Sequence, residues 1–342
     1  MAYTTINDGS AHFHTQLYTG NGASTHAITN DANSGDFKPD WLWIKQRSQG
    51  NRNHSLWDSS RGNSLRLISN TNGAEETQTG DQKTFDTDGF TLGGGSITNE
   101  NSQTHVAWQW KANGGTTASN SNGSITSTVQ ANTAAGFSII TYTGNGSDGA
   151  TIGHGLNATP QVFFPKCRST TTNWEMYYFP TGGTKQYGYL NDTNAFATWS
   201  HTAPTSTTIG LSGSGDSNGN GRTMVGYAFH SVKGYSKIGT YVGNGQTSDN
   251  TFIYTGFRRA WVIVKCTTNV EPWFINDTKR SPGNPTLAAL RPEANSAENT
   301  TVGYSLDFVS NGFKIRNNAG QLGGDGRTHF YMAFAENPFV SS

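Results

Sequence analysis

The chain has 342 residues, enough for two or three domains with a sizeable core. Basic and acidic side chains number 23 each, and charged residues make up 13%, about half the usual share of roughly 25%. That balance gives no sign of nucleic acid or an anionic membrane as a partner.

Two cysteines are too few for a disulfide scaffold. No run of 18 apolar residues is present to span a membrane. The polar start carries no signal peptide, so synthesis in a cytoplasm without processing is expected. Asn-x-Ser/Thr triplets, as at Asn145 and Asn276, are read as chance in an Asn/Thr-rich chain. The 42 glycines, with Ser, Thr and Asn, fill gaps between short apolar runs, the pattern of short strands joined by many turns. Nine Trp, 13 Tyr and 18 Phe exclude a disordered chain.

In chain order, residues 1–12 are a polar lead-in. Tyr18-Thr19-Gly20-Asn21-Gly22 then ends an alternating apolar run, and it returns at Tyr142–Gly146 and Tyr241–Gly245. Gly and Asn tolerate positive φ, so each copy predicts a strand running into a tight turn. A second landmark follows: Trp41-Leu42-Trp43-Ile44-Lys45, Val162-Phe163-Phe164-Pro165-Lys166 and Trp261-Val262-Ile263-Val264-Lys265. Lys45 lies 27 residues after Tyr18; Lys166 and Lys265 each lie 24 after Tyr142 and Tyr241. A third comprises Val106–Trp110, Val225–Phe229 and Phe330–Phe334. Its last residues fall 65, 63 and 69 positions beyond Lys45, Lys166 and Lys265. Three landmarks in one order and spacing, three times, predict an internal repeat of about 100 residues. The expected domains are 1–115, 116–233 and 234–342, with a flexible connector at 113–135 in which Ser124–Val129 alternates like a strand.

The fold class expected is all-β: three tandem β-sandwiches, jelly-roll or lectin-like. Further alternating runs at 64–68, 89–92, 138–142, 207–211 and 312–315 support it. One short helix is expected at Thr286–Leu290, closed by Pro292. The second landmark is apolar on both alternating faces, so a neighbouring domain or subunit, or the strand's own long loops, must cover the second face.

Candidate chemistry is sparse. Asp58-Ser59-Ser60-Arg61 and Asp277-Thr278-Lys279-Arg280 place an acid three residues before an arginine. They read as a loop-fixing ion pair or Asp-turn rather than a pocket gripping a sugar or carboxylate. The middle repeat has Tyr177-Tyr178-Phe179-Pro180 there. Asp216–Gly221 resembles the start of a calcium loop, but Tyr227 stands where a bidentate Glu is needed, so a solvated turn is expected. Asp86-Thr87-Asp88-Gly89 reads as a hairpin turn. His12 and His14 could share a face as a zinc pair, but nothing nearby in sequence completes a ligand set. Trp57, Trp174 and Trp273 are the tryptophans placed to stack on a sugar, with core as the preferred reading; Trp41, Trp43, Trp108 and Trp110 read as core. Lys45, Lys166 and Lys265 are expected to end a buried strand and reach solvent. Cys167 and Cys266 occupy equivalent positions, which predicts two separate free thiols. No nucleophile elbow, His-Glu-x-x-His, phosphate loop or dinucleotide fingerprint appears. No catalytic, metal or cofactor-binding residue is assigned.

The chain resembles a family of tandem β-rich repeats of unknown function found in structural genes of marine bacteriophages, cyanophages among them. The resemblance rests on Tyr18–Gly22 with Pro39–Lys45, Trp57–Gly62, Phe85–Gly93, Val106–Lys111, Ile152–Leu156, Tyr254–Arg258 and Ala333–Phe339, and covers nearly the whole chain from Phe13. It implies a non-enzymatic virion-surface protein made in the host cytoplasm. A tail-fibre or adhesin subunit touching host glycan is the first expectation. A capsid-decoration or head-fibre protein is the second, and a polysaccharide-degrading tailspike-like enzyme the third. Other virion proteins are the expected partners, without nucleic acid, membrane insertion or cofactor, and a homotrimer is implied by analogy. Low charge makes contacts less dependent on salt, which suits seawater.

Overall fold

Each set of three landmarks forms three neighbouring strands, always in the same order. The computed structural model describes residues 4–31 and 37–336. In it, strand Thr104–Trp110 lies between Phe13–Thr19 and Trp41–Gln46. Thr223–Phe229 lies between Phe137–Thr143 and Val162–Cys167, and Thr328–Phe334 between Ser236–Val242 and Trp261–Cys266. All these pairs are antiparallel, and their registers correspond. Trp110 faces Phe13 and Trp41, Phe229 faces Phe137 and Val162, and Phe334 faces Ser236 and Trp261.

Further strands extend each sheet from its second-landmark strand. The first adds Ser55–Asp58, Gly62–Leu67 and Glu76–Thr77; the second adds Glu175–Tyr178, Gln186–Tyr189 and Ala197–Thr198; the third adds Trp273–Asp277. On its other edge the second sheet gains Ser127–Asn132 and Ala118–Asn120, so the stretch expected to be a flexible connector contributes two strands. A small antiparallel sheet accompanies each large one: His26–Ile28 with Gly89–Leu92 and Gln82–Asp86, Thr151–Gly153 with Thr208–Gly210, and Phe252–Tyr254 with Gly312–Ile315 and Leu306–Val309. The protein is nearly all β, in several open antiparallel sheets. Among the described residues the only helices are two single 3-10 turns. Thr286–Leu290 is not helical. Thr286, Ala289 and Leu290 make β-bridges to Leu306, Asn299 and Ile275, because docking Leu290 in the core outweighs local propensity.

The two-faced strands find a different cover on each side. Trp41, Trp43, Phe164, Trp261 and Ile263 point into one central core shared by all three large sheets. Leu42 and Ile44 point the other way into a cluster with Ile28, Phe90 and Leu92 of the small sheet, and Val262 and Val264 do the same with Phe313 and Ile315. The second face is therefore covered by the other large sheets of the same chain.

Around this core the sheets join in a ring. At the first joint, Glu75 N donates to Arg168 O at 2.9 Å and Trp174 Nε1 to Ile68 O at 2.7 Å. At the joint of third and first sheets, Glu298 N donates to Arg47 O at 2.9 Å, and His54 Nε2 lies 3.0 Å from Arg291 O. At the joint of second and third, Phe196 N donates to Thr267 O at 2.9 Å and Trp273 Nε1 to Tyr189 O at 3.0 Å.

Candidate ligand-binding cleft

The middle sheet departs from the other two at its outer face. Glu175 lies in the register position that Ser55 holds in the first sheet and Phe274 in the third: it follows Trp174, the partner of Lys166, as Phe274 follows Trp273, the partner of Lys265, and Ser55 pairs with Ile44. Across the next strand pair, Glu175 faces Tyr189 and Tyr177 faces Tyr187. Alternation puts all four side chains on one face. Past the edge strand Ala197–Thr198, Trp199 folds back over this face. Its ring centroid lies 4.0 Å from that of Tyr177 and 6.5 Å from that of Tyr187.

Glu175, Tyr187, Tyr189 and Trp199 line an open cleft of about 230 Å³, closed on another side by Ser212 and Ser214, with Tyr177 buried behind Trp199. Tyr187 and Tyr189 stand at 89° to each other with centroids 6.1 Å apart, and both are half-buried. Trp199 is only 5% exposed, yet its indole Nε1 has no hydrogen-bond partner. Glu175 is buried without a cation. Its Oε2 accepts from Tyr177 Oη at 2.9 Å and Ser214 Oγ at 3.4 Å. Burial pushes its carboxyl up to about 7, with the nearby Asp216 adding to the shift and the hydrogen bonds from Tyr177, Ser217 and Ser214 opposing it. At the rim, His201 Nδ1 lies 2.6 Å from Asp148 Oδ1. The cleft thus offers two aromatic rings at right angles, hydroxyls and one carboxyl.

None of the residues singled out from sequence lies there. Asp58 and Arg61 pair at 2.5 Å with both side chains fully buried, and Asp277 and Arg280 match them. Both are joint clamps. Asp58 Oδ2 accepts from Tyr227 Oη of the second sheet at 2.7 Å, while Arg61 and Arg168 both grip Glu75. Asp277 Oδ2 accepts from Trp108 Nε1 of the first sheet at 3.0 Å, while Arg280 and Arg47 both grip Glu298. The structural reading of this motif holds. In the middle sheet Tyr178 takes the Asp position, opposite Val162 as Asp58 is opposite Trp41. It packs against Phe330 of the third sheet with centroids 5.0 Å apart. The residue matching Tyr227 and Trp108 there is Met332, which has no donor. Acid and donor are replaced together.

Several other expectations change. Lys45, Lys166 and Lys265 do not reach solvent; all three are fully buried. Lys166 and Lys265 extend across joints to the carbonyls of Asn72 and Thr193, at 3.4 and 3.3 Å, and Lys45 donates to Gln46 O at 2.7 Å. Burial brings their amines down to about 8. Trp57, Trp174 and Trp273 are fully buried and offer no ring to a sugar. The Asp216–Gly221 loop is not a solvated turn, because Ser217 and Asn218 are fully buried. Asp216 caps Asn173 N, and Asn218 holds the Gly144-Asn145-Gly146 loop through Asn145 N at 2.9 Å. Asp86–Gly89 is the expected hairpin, with φ +97° at Gly89. His12 and His14 diverge: His12 meets Asn132, and His14 sits between Gln16, Asp31 and Glu336. Cys167 and Cys266 are both free and buried.

Residues 8–338 match the family described as a domain of unknown function (DUF7483). The chain belongs to this family. The match spans the same nearly complete stretch that carries the recurring landmarks. No curated protein and no solved structure matches the chain.

The cleft escaped the sequence reading because Glu175 and Trp199 are brought together by two hairpins. One signal was present. Aligning the landmark strands sets Glu175 against Ser55 and Phe274, an acid where an outer face is otherwise filled by a neutral residue.

Proposed function

We propose that this member of the DUF7483 family is a non-enzymatic structural protein of a bacteriophage particle, a tail-fibre or adhesin-type subunit that attaches the particle to a host surface. Three tandem β-sandwich units of about 100 residues form its frame, and the recurring strand order and registers support that reading. The observation that carries the function is the cleft. The charged motifs that recur in the chain are buried as joints within the frame, whereas the features peculiar to the middle sheet line an open cleft. A rigid frame carrying one unlike site suits attachment better than catalysis dispersed over three copies. Virion context comes from the sequence resemblance, and other virion proteins and a homotrimeric assembly are proposed with it.

A capsid-decoration or head-fibre role is the second reading, favoured by the closed ring of joints, which suits a mechanical part. Gold-labelled antibody on intact particles separates the two. Label at the tail tip or fibres is the expected result, label spread over the head selects decoration, and absence of label overturns both. Depolymerase activity on host polysaccharide that is lost in Glu175→Gln would establish the tailspike-like enzyme instead.

A further inference from the structure

We propose that the cleft between Tyr187, Tyr189 and Trp199 binds a single neutral pyranose unit of a surface polysaccharide. The inference rests on the attachment reading and gives that site its ligand. Four observations lead to it. First, sugars present apolar C–H faces that stack on aromatic rings, and Tyr187 and Tyr189 offer two half-buried rings at 89°. A hexopyranose can lie on one ring and abut the other. Second, Trp199, its ring centroid 4.0 Å from that of Tyr177, gives the cleft a third aromatic wall.

Third, the remaining polar groups suit hydroxyls, which both donate and accept. Ser212 and Ser214 hydroxyls lie 2.9 Å apart, and the Glu175 carboxyl stands behind Ser214. Fourth, size and charge narrow the class. At about 230 Å³ the cleft falls below the ~300–1,000 Å³ of sites for drug-sized ligands. Among the described residues no Lys or Arg lines it, and its His201 is paired with Asp148, so a uronic or sialic acid, a phosphate or an acidic peptide would lose hydration without gaining a cation partner. A neutral sugar meets no such cost.

The test uses the full chain and the methyl glycosides of glucose, galactose, mannose and N-acetylglucosamine, with methyl glucuronide as the charged control. Binding is read by saturation-transfer NMR and titration. At least one neutral glycoside should bind with a dissociation constant in the millimolar range, and glucuronide should bind at least tenfold more weakly. Tyr189→Ala removes one of the two rings and should weaken binding about tenfold, the upper end of what one aromatic contact contributes. Tyr187→Ala, at the cleft wall, should abolish binding while the melting curve stays cooperative, and it serves if Tyr189→Ala does not fold. No binding of any neutral glycoside at 50 mM, equal binding of glucuronide, or unchanged affinity in both variants overturns the proposal.

Adsorption of the fluorescently labelled chain to host cells separates this failure from failure of the attachment reading. Adsorption that persists without sugar binding removes the sugar and keeps attachment. Sugar binding without adsorption does the reverse.

Discussion

At the scale of single residues, the frame depends on buried charges that cannot be neutralised separately. Burial disfavours the Arg61 cation, and Asp58 and Glu75 more than offset that. Removing one partner leaves the other buried and unpaired, which typically costs about 3–5 kcal/mol. We therefore expect Asp58→Ala and Asp277→Ala each to lower the unfolding free energy by roughly that amount in denaturant titrations. Tyr178→Phe, at the equivalent uncharged position, keeps the ring contact with Phe330 and should cost no more than about 1 kcal/mol. Equal losses at all three positions would refute the distinction. Glu175 gives a pH signature of the opposite kind. Its folded pKa, about 7, lies above the ordinary 4.5. Between these values the folded state holds a proton that the unfolded state has lost. Its contribution to stability is thus full below pH 4.5 and falls as pH rises to 7, by about 3 kcal/mol in all. The groups facing it include Tyr177, Tyr189, Tyr142, Ser214, Ser217 and Asp216. Glu175→Gln should flatten that slope and raise the melting temperature at pH 8. A variant with the wild-type pH profile would show that Glu175 does not titrate in this window. Little of this was legible in the sequence. Asp58 and Arg61 announced a pair through their spacing, but Glu75, Arg168 and Tyr227 join it only through folding, and the buried lysines looked like strand ends able to snorkel.

At the scale of elements, the Gly-Asn-Gly loops show how far local sequence reaches. Gly22, Gly146 and Gly245 have φ of +66°, +72° and +71°, as the turn reading requires. The loops are not hairpin tips, however. Gly20, Gly144 and Gly243 are pressed against the backbone just ahead of the central strand, and a Cβ on them would collide with the carbonyls of Glu100, Gly219 and Gly324. Asn99, Asn218 and Asn250 lock the arrangement by accepting from the backbone N–H of Asn21, Asn145 and Asn244. We expect Gly144→Ala to destabilise by at least about 2 kcal/mol in denaturant titrations. Gly50→Ala, where the nearest atom to a Cβ is 3.8 Å away, should stay within about 0.5 kcal/mol. A harmless Gly144→Ala would mean the loop can lift away. The landmark strands were readable because they are apolar and alternating. The partner loop was not, since Asp216–Gly221 carries the same turn residues whether it faces water or another loop.

At the scale of the whole molecule, one aromatic core belongs to three sheets. Phe137, Ile139, Phe164, Tyr227 and Phe229 of the middle sheet all point into it, so a segment such as 116–233 produced alone would expose that face. We expect the full chain to unfold in a single calorimetric transition with van't Hoff and calorimetric enthalpies in agreement, and the excised segment to aggregate or remain molten. Three resolved transitions would show that the sheets are independent. The sequence revealed that second-landmark strands are buried on both faces. It did not reveal that the cover is mutual, because alternation records burial and not the identity of the neighbour. The joints around that core are not interchangeable. Two pair a buried carboxylate with a Tyr or Trp donor, and one packs Tyr178 against Phe330, where no carboxylate waits. A sheet docked against the wrong neighbour, in its own chain or in another, would bury Asp58 or Asp277 beside Met332 with nothing to hold it. The joints therefore act as keys with distinct teeth: three look-alike parts can close in one cyclic order only, and strand exchange between crowded copies is penalised before it can spread.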